Sequence, residues 1–378
     1  MNFLGGVRIV GIGLMLTGLL ACEDAPPREP CALNSPLGSV CGFENPEDVA
    51  WAPSQGLLIS GQLRFGDSGG TLLGFDPVSQ QVSRLWPRDN VASGAAGEEA
   101  GAEAAAKAVP APTQALALTE PAAAAGEKLC VAPKPALFAP HGVYADAAGH
   151  LLVVNHGGRE SVEIFQLEGQ GASTRANWQG CVLLPEGTSG NDVALASDGA
   201  IVVSNFASSM DSTFAGLKML LGRSTGDMMI WQEGPGWQHI PGTTASGPNG
   251  IALSPDGQTI FYSETGAGRV VRMQRDGTRR VDVKIPGLSD NLSWTPEGKL
   301  LLASHESAMG FASCRNLETC RAPWRVDEID PATMEVREIL VHDGSVVGAV
   351  ATAQQVGNQI YLGAVFGDRI GVLERTPD

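Results

Sequence analysis

Short apolar runs separated by turn residues recur along this chain, and each run has the length of a single β-strand. The recurring unit opens with a polar pair, a short strand and a turn, and it ends with a second apolar strand, as in HGVYADAAGHLLVVNH from His141. Five further units begin at Glu47, Asn191, Asn249, Asp290 and Gly348. Apart from one gap of about 90 residues, the starts lie about 40 to 60 residues apart, which is typical of a four-stranded propeller blade. The pattern predicts an all-β fold, a six-bladed β-propeller.

Two segments interrupt the strand pattern. Residues 90–128 separate the first two units and are rich in Ala, Glu and Gly, which predicts a mostly mobile insertion. The run DSTFAGLKMLLGR, residues 211–223, predicts a short helix with Asp211 or Ser212 at its start and Gly222 at its end. The apolar face of this helix comprises Phe214, Leu217 and Leu221. That face either packs on the propeller or forms an apolar wall beside a binding site.

The first residues have the pattern of a targeting segment. Arg8 precedes an apolar stretch that ends in LLAC, which resembles the end of a bacterial lipoprotein signal. The sequence therefore predicts a signal peptide over 1–21, an acylated Cys22 with a tether over 22–44, and the propeller over 45–378. The protein would be exported and anchored by lipid to a membrane of the bacterial cell envelope. An ordinary secretory signal with an incidental cysteine is the alternative.

The charge balance excludes one class of partner. With 25 Lys and Arg against 41 Asp and Glu, the net charge is −16, which argues against nucleic acid because a phosphate-binding surface needs clustered positive charge. Excess carboxylate is compatible with hard cations. Although 48 glycines and 24 prolines are present, 43% of the residues are hydrophobic, which favours a turn-rich β protein over a disordered chain.

Six cysteines follow Cys22, and an even number in an exported protein favours disulfides. Cys31–Cys41 and Cys314–Cys320 would close local loops, which leaves Cys130–Cys181. The spacing alone does not decide among the possible pairings. It matches no zinc motif.

The propeller geometry brings the polar pairs together. The first strand of each blade lines the central tunnel, so the pairs converge on one mouth of the tunnel, which the ends of the second strands surround. The pairs supply seven oxygen-bearing side chains, here called the axial ring: Glu47, Asp48, Asn191, Asp192, Asn249, Asp290 and Asn291. The sixth pair, Gly348 and Ala349, offers no side-chain ligand. A connection that leads into a first strand lies on this face, which places the insertion 90–128 there.

Such a concentration of buried oxygens predicts calcium. Polar groups taken out of water need a compensating partner, and calcium accepts roughly six to eight oxygen ligands at flexible geometry. Because neighbouring side chains on an extended strand point in opposite directions, the adjacent pairs Glu47–Asp48 and Asn191–Asp192 predict two stacked calcium ions.

Six stretches carry a family resemblance: PHGVYAD, LLVVNHGGRESVEIFQ, GNDVALASDG, PNGIALSPDG, SDNLSWTPEG and IYLGAVFGDRI. Together they resemble the paraoxonase/arylesterase family of calcium-dependent lactonases. The resemblance implies a hydrolase that acts on a small lactone or aryl ester. It implies a catalytic calcium held by Glu47, Asn191, Asn249, Asp290 and Asn291. It also implies a structural calcium held by Asp48, Asp192 and the main-chain carbonyl of Val143.

The same resemblance implies roles for histidines. His141 would be a general base that activates water and His156 its relay partner, while Asp290 is a rival base. A histidine suits this role because its pKa lies near working pH. His305 also ends a second strand at the mouth, where it either lines a pocket or has no role.

The chain departs from that family at its C-terminus, and other functions stay open. The family disulfide that joins the chain ends is not expected, since GVLERTPD at the C-terminus has no cysteine, and closure would depend on strand pairing. One alternative is a gluconolactonase-like sugar lactonase, a propeller with a single metal held by Glu, Asn and Asp. Another is a non-catalytic, calcium-stabilised binding or scaffold lipoprotein.

Overall fold

The structure is a computed structural model that describes residues 30–33, 36–64, 69–87, 130–207, 216–219, 221–314 and 320–375. The predicted signal peptide, Cys22, the insertion and residues 208–215 lie outside the described residues. Those described form six four-stranded antiparallel sheets, which confirms the predicted all-β six-bladed propeller. None of their helices combines the length and the apolarity needed to cross a bilayer.

The strands follow the chain order of the repeat. Strand β1 (Leu37–Cys41) comes first. Blade one contains β2 (Val49–Ala52), β3 (Leu57–Gly61), β4 (Leu72–Asp76) and β5 (Gln81–Trp86). Blade two contains β6 (Pro140–Ala145), β7 (His150–Asn155), β8 (Ser161–Glu168) and β9 (Arg175–Leu183). Blade three contains β10 (Ser189–Leu195), β11 (Ile201–Ala207), β12 (Asp227–Gln232) and β13 (Gly236–His239).

The second half repeats this arrangement. Blade four contains β14 (Pro248–Leu253), β15 (Thr259–Glu264), β16 (Arg269–Gln274) and β17 (Val281–Lys284). Blade five contains β18 (Leu288–Trp294), β19 (Leu300–His305), β20 (Trp324–Ile329) and β21 (Val336–His342). Blade six contains β22 (Val350–Val356), β23 (Gln359–Ala364), β24 (Arg369–Glu374) and β1. Neighbouring inner strands contact each other all the way round the tunnel.

Among the described residues, helical structure occurs only in short connections. Helix α1 (Ala308–Ser313) follows the second strand of blade five, and Ser307 caps its start by accepting a hydrogen bond from Gly310 N. Single 3₁₀ turns are formed by Pro135–Leu137, Gly171–Ser173 and Thr265–Ala267.

Part of the predicted helix over 211–223 is described. Residues 216–219 are helical, and Gly222 follows with φ 62°, its N–H donating to Met219 O, so the chain leaves the helix where predicted. Leu217 is 51% exposed and Leu221 65% exposed. These two side chains therefore do not pack on the propeller, and the apolar wall stays the open interpretation.

The ring of blades is closed by β1, the outermost strand of blade six. Its residues pair with β24 from Leu37 opposite Leu373 to Cys41 opposite Arg369. Closure thus depends on strand pairing, as expected. The tether predicted over 22–44 needs a correction at this end, because backbone pairing places Leu37–Cys41 in the propeller.

Three disulfides are present, and they follow the pairing that the spacing favoured. They join Cys31 to Cys41, Cys130 to Cys181, and Cys314 to Cys320. The first ties the closing strand to the chain before it. The last closes the short connection after helix α1, at the tunnel mouth.

The apolar core lies between blades. Leu151 and Val153 of β7 belong to a cluster shared with blade one, whereas Leu152 and Val154 of the same strand belong to a cluster shared with blade three. Alternate side chains of a strand point to opposite faces, and both faces of a propeller sheet are covered by neighbouring sheets. This is why the second strand of each unit is a continuous apolar run.

Candidate functional site

Four of the polar pairs lie at β-bulges. In blade two, Pro140 pairs with Asn155 and Val143 pairs with Val153, so β6 holds one residue more than β7 across this step. The same excess occurs at the pairs of blades three, four and five. A bulge breaks strand alternation and re-aims the side chains next to it. At Asn191 and Asp192, the prediction that strand alternation separates the two members of the pair is therefore corrected.

Glycine is required at the second position of two pairs. A Cβ at Gly142 would lie 2.3 Å from Asn191 O, and a Cβ at Gly250 would lie 2.4 Å from Asn291 Cα. The inner strands of neighbouring blades thus approach too closely for a side chain there. This explains why the pairs of blades two and four consist of one polar residue and a glycine.

The axial ring is buried, and every member is at most 6% exposed. Burial and the nearby charges of Asp290, Asp48 and Asp192 raise the pKa of Glu47 well above its usual range. Burial raises the pKa of Asp48 to about 6, and burial together with the charge of Asp48 raises the pKa of Asp192 well above normal. The structure therefore brings four carboxylates close enough to repel each other.

Five ring oxygens have no hydrogen-bond partner among the described residues. They are Glu47 Oε2, Asn191 Oδ1, Asn249 Oδ1, Asp290 Oδ1 and Asn291 Oδ1. These five residues are the set that the resemblance implied for the catalytic calcium. Each unpaired buried polar atom costs about 1–3 kcal/mol, so five around one axis require a shared partner. Carboxylate and amide oxygens are the ligands that calcium prefers, and the residues present fit such an ion.

The evidence for a cation site is the set of orphaned oxygens, because the described residues form no cluster of acidic metal ligands. The described residues contain no group of three or more His, Cys, Asp or Glu side chains arranged to hold a metal ion. Three of the five orphaned oxygens come from asparagines, and only Glu47 and Asp290 add charge. The donor set is therefore a mixture of amides and carboxylates.

Two members of the axial ring, Asp48 and Asp192, have hydrogen-bond partners within the protein. Asp48 Oδ2 accepts a hydrogen bond from Val143 N at 2.7 Å, and Asp192 Oδ2 accepts one from Ile251 N at 2.6 Å. The Oδ1 atom of each aspartate accepts a hydrogen bond from the following backbone N–H. These carboxylates join neighbouring blades. The structural calcium at Asp48, Val143 and Asp192 stays a prediction.

Blade six contributes Thr352, which the sequence analysis missed. Asn291 Nδ2 donates to Thr352 Oγ1 at 2.9 Å, and the single proton of this hydroxyl has two acceptors within reach, Asp48 Oδ1 at 2.9 Å and Glu47 O at 3.0 Å. Asn291 Nδ2 also donates to Glu47 Oε1 at 3.1 Å. Because Glu47 and Thr352 hold the amide nitrogen of Asn291, its orphaned amide oxygen points away from them. Nothing in the sequence singles out Thr352, because strand β22 (VATAQQV) also contains Gln354 and Gln355.

The two predicted catalytic histidines contact each other. His141 Nδ1 lies 2.9 Å from His156 Nε2, while His141 Nε2 lies 3.5 Å from Glu47 Oε2, too far for a good hydrogen bond. Burial, with the neighbouring His156, lowers the pKa of His141 to about 3. His141 is therefore neutral at neutral pH and keeps a lone pair. The roles of base and relay stay predictions.

His305 contacts the axial ring directly. Its Nε2 lies 2.8 Å from Asp290 Oδ2, and its ring lies 4.4 Å from that of Phe311 on helix α1. Asp290 therefore has one oxygen engaged by His305 and one orphaned. This arrangement fits Asp290 better as a cation ligand than as the rival base.

Comparison with known proteins decides the family. The model of the SMP-30/gluconolactonase/LRE-like region matches residues 67–301. The chain belongs to the SMP-30/gluconolactonase/LRE-like family. Within that match lie His141, His156 and the ring residues of blades three to five, whereas Glu47 and Thr352 lie outside it.

Relatives of this SMP-30/gluconolactonase-like chain share its fold. A gluconolactonase from Xanthomonas campestris is 19% identical with a TM-score of 0.52, and the match covers 89% of each chain. A luciferin-regenerating enzyme is 14% identical with a TM-score of 0.50, over 90% of this chain and 98% of that one. At these identities the likeness shows the propeller fold and no more.

One curated relative matches over a shorter stretch. The protein strictosidine synthase-like 13 of Arabidopsis thaliana is 27% identical over 117 residues, which is 30% of this chain. The match spans 29% of that relative's length.

Proposed function

We propose that this protein is a calcium-dependent hydrolase of lactones or aryl esters, with chemistry of the paraoxonase type. The observation that carries the proposal is the set of five orphaned, buried oxygens beside a hydrogen-bonded histidine couple. Membership of a family that includes gluconolactonases supports a lactone as the substrate class. The His141–His156 couple favours this reading over a single-metal sugar lactonase.

The ring residues would hold the ion. Glu47, Asn191, Asn249, Asp290 and Asn291 each offer one free oxygen. Bound there, calcium would supply the positive charge that polarises a carbonyl and stabilises the negative charge developing on its oxygen. Thr352 orients Asn291 and His305 engages Asp290, so these two ligands are held in place by the protein itself.

The two histidines would accept and transfer the proton of the attacking water. His141 Nε2 accepts a proton from a water molecule, and the water oxygen forms a bond with the substrate carbonyl carbon. The acyl–oxygen bond then breaks, and the alcohol oxygen of the opened lactone or ester takes up the proton that the histidine couple gained from water. Because His141 Nδ1 contacts His156 Nε2, a proton gained by His141 can be shared with His156.

Hydrolysis assays with and without chelator test this function. We expect the purified protein to hydrolyse phenyl acetate and a panel of lactones, to stop after EDTA treatment and to recover with added calcium. Turnover of sugar lactones alone would favour the gluconolactonase-like alternative. A folded protein that binds calcium but hydrolyses none of these substrates would refute the enzyme and favour a binding or scaffold role.

Export and lipid anchoring are a separate proposal, supported by the LLAC pattern ahead of the propeller. Mass spectrometry of the membrane-bound protein should find acyl chains on Cys22. A Cys22→Ser variant should be released from membranes with its hydrolytic activity unchanged. Membrane association that persists in this variant would contradict the anchor.

A further inference from the structure

The loop after His156 places a carboxylate on the far side of the histidine couple. Glu160 Oε1 and Oε2 both lie 2.9 Å from His156 Nδ1. The neighbouring Arg159 is engaged elsewhere, since its guanidinium donates to Glu163 Oε1. The Glu160 side chain is 27% exposed and that of His156 is 15% exposed, so their contact lies at the edge of the mouth.

Hydrogen bonds within this loop hold Glu160 beside His156. Asn155 Oδ1 accepts hydrogen bonds from Ala139 N and Gly157 N, while its Nδ2 donates to the carbonyls of Gly157 and Arg159. At Gly157, a Cβ would lie 1.5 Å from the backbone oxygen of residue 137, so only glycine allows the turn to pass there. One buried asparagine and one glycine thus bring residue 160 back onto residue 156.

We propose that Glu160 is a positioning residue that completes a His141–His156–Glu160 relay and fixes the proton on each ring. This inference rests on the proposed function. A carboxylate accepts hydrogen bonds and does not donate them, so His156 carries its proton on Nδ1. His156 Nε2 is then an acceptor, and His141 donates to it from Nδ1. The lone pair of His141 remains on Nε2, the nitrogen beside Glu47.

The relay gives direction to the proton transfer. When water attacks, its O–H bond breaks and an N–H bond forms at His141 Nε2. The N–H bond at His141 Nδ1 breaks and one forms at His156 Nε2. The positive charge then resides on His156, where the Glu160 carboxylate stabilises it. Without Glu160, the His156 ring could carry its proton on either nitrogen. With the proton on Nε2, it would donate to His141 instead of accepting a proton from it.

Replacement of Glu160 tests the relay, with a matched control on the same blade. Asp146 Oδ2 lies 2.8 Å from His150 Nδ1, another carboxylate four residues from its histidine, with side chains 23% and 17% exposed. We expect Glu160→Ala to lower kcat on the order of 10²-fold with KM changed less than about twofold. Asp146→Ala should leave both constants unchanged. Added formate should restore part of kcat in Glu160→Ala alone, because a small carboxylate can enter the partly exposed site.

Nitrogen-15 NMR of the histidine rings tests the geometry without substrate. In the wild-type protein, with and without calcium, His156 should be protonated on Nδ1 and unprotonated on Nε2. A His156 proton found on Nε2 would overturn the inference, whether or not any variant folds. So would a kcat in Glu160→Ala no lower than in Asp146→Ala. An inactive wild type would refute the proposed function, while the ring tautomers would still decide the relay.

Discussion

Thr352 offers the sharpest test of how the axial ring is held. The residue is 2% exposed, and its hydroxyl accepts a hydrogen bond from Asn291 and shares its one proton between Asp48 Oδ1 and Glu47 O. Thr352→Val keeps the shape of the side chain and removes the hydroxyl. Thr352→Ser keeps the hydroxyl and removes a methyl group. The pair of variants therefore separates hydrogen bonding from packing.

The expected magnitudes follow from the groups involved. The bond from Asn291 joins neutral groups and is worth about 1 kcal/mol, whereas a bond to a carboxylate is worth about 1.5–3 kcal/mol. Thr352→Val should lower the free energy of unfolding by about 2–4 kcal/mol. Thr352→Ser loses one buried methyl group and should lower it by about 1 kcal/mol.

Equilibrium unfolding in urea measures both values, and the slope of free energy against urea should stay constant while the midpoint shifts. Calcium titration by calorimetry adds a second readout. Because Asn291 loses the contact that orients its amide, Thr352→Val should weaken calcium binding about tenfold, and Thr352→Ser should not. Equal midpoints for the two variants, or a valine variant as stable as wild type, would refute the assigned role of the hydroxyl.

Three further predictions concern the same ring. Burial raises the pKa of Asp48 to about 6, above an unfolded value of about 3.9. Between these two pH values, the metal-free folded protein keeps a proton that the unfolded chain has released. The folded state therefore loses stability as pH rises from about 3.9 to about 6. Calcium should therefore raise the melting temperature more at pH 8 than at pH 5, and equal shifts by differential scanning fluorimetry would count against the buried charges. Gly250→Ala should abolish calcium binding and lower the melting temperature, because its Cβ would lie 2.4 Å from Asn291 Cα; normal calorimetric binding would contradict that close approach. Asp290→Ala should reduce hydrolysis more than His141→Ala, whose loss should be on the order of 10²- to 10⁴-fold in kcat; the reverse order would show that the ligand role of Asp290 is wrong.

The repeat alone determined the architecture and the position of the site. Each unit has its polar pair at the same point before an apolar strand, and a closed ring of such units must bring those points to one end of the axis. The seven ring residues could therefore be named before any contact was known. Continuous apolar runs such as LLVV of β7 were also informative, because a sheet covered on both faces has no polar side.

Contacts between distant parts of the chain were decided only by the tertiary structure. Thr352 is separated from Glu47 and Asp48 by about 300 residues, and their hydrogen bonds exist only because blade six closes against blade one. Strand β1 was assigned to a tether because a five-residue strand without its partner has no distinguishing pattern. The register of neighbouring strands produces the bulges at the polar pairs. The same packing leaves five ring oxygens without hydrogen-bond partners among the described residues. Sequence spacing gives the order of residues along a strand, whereas register and the approach of neighbouring backbones fix where each side chain points.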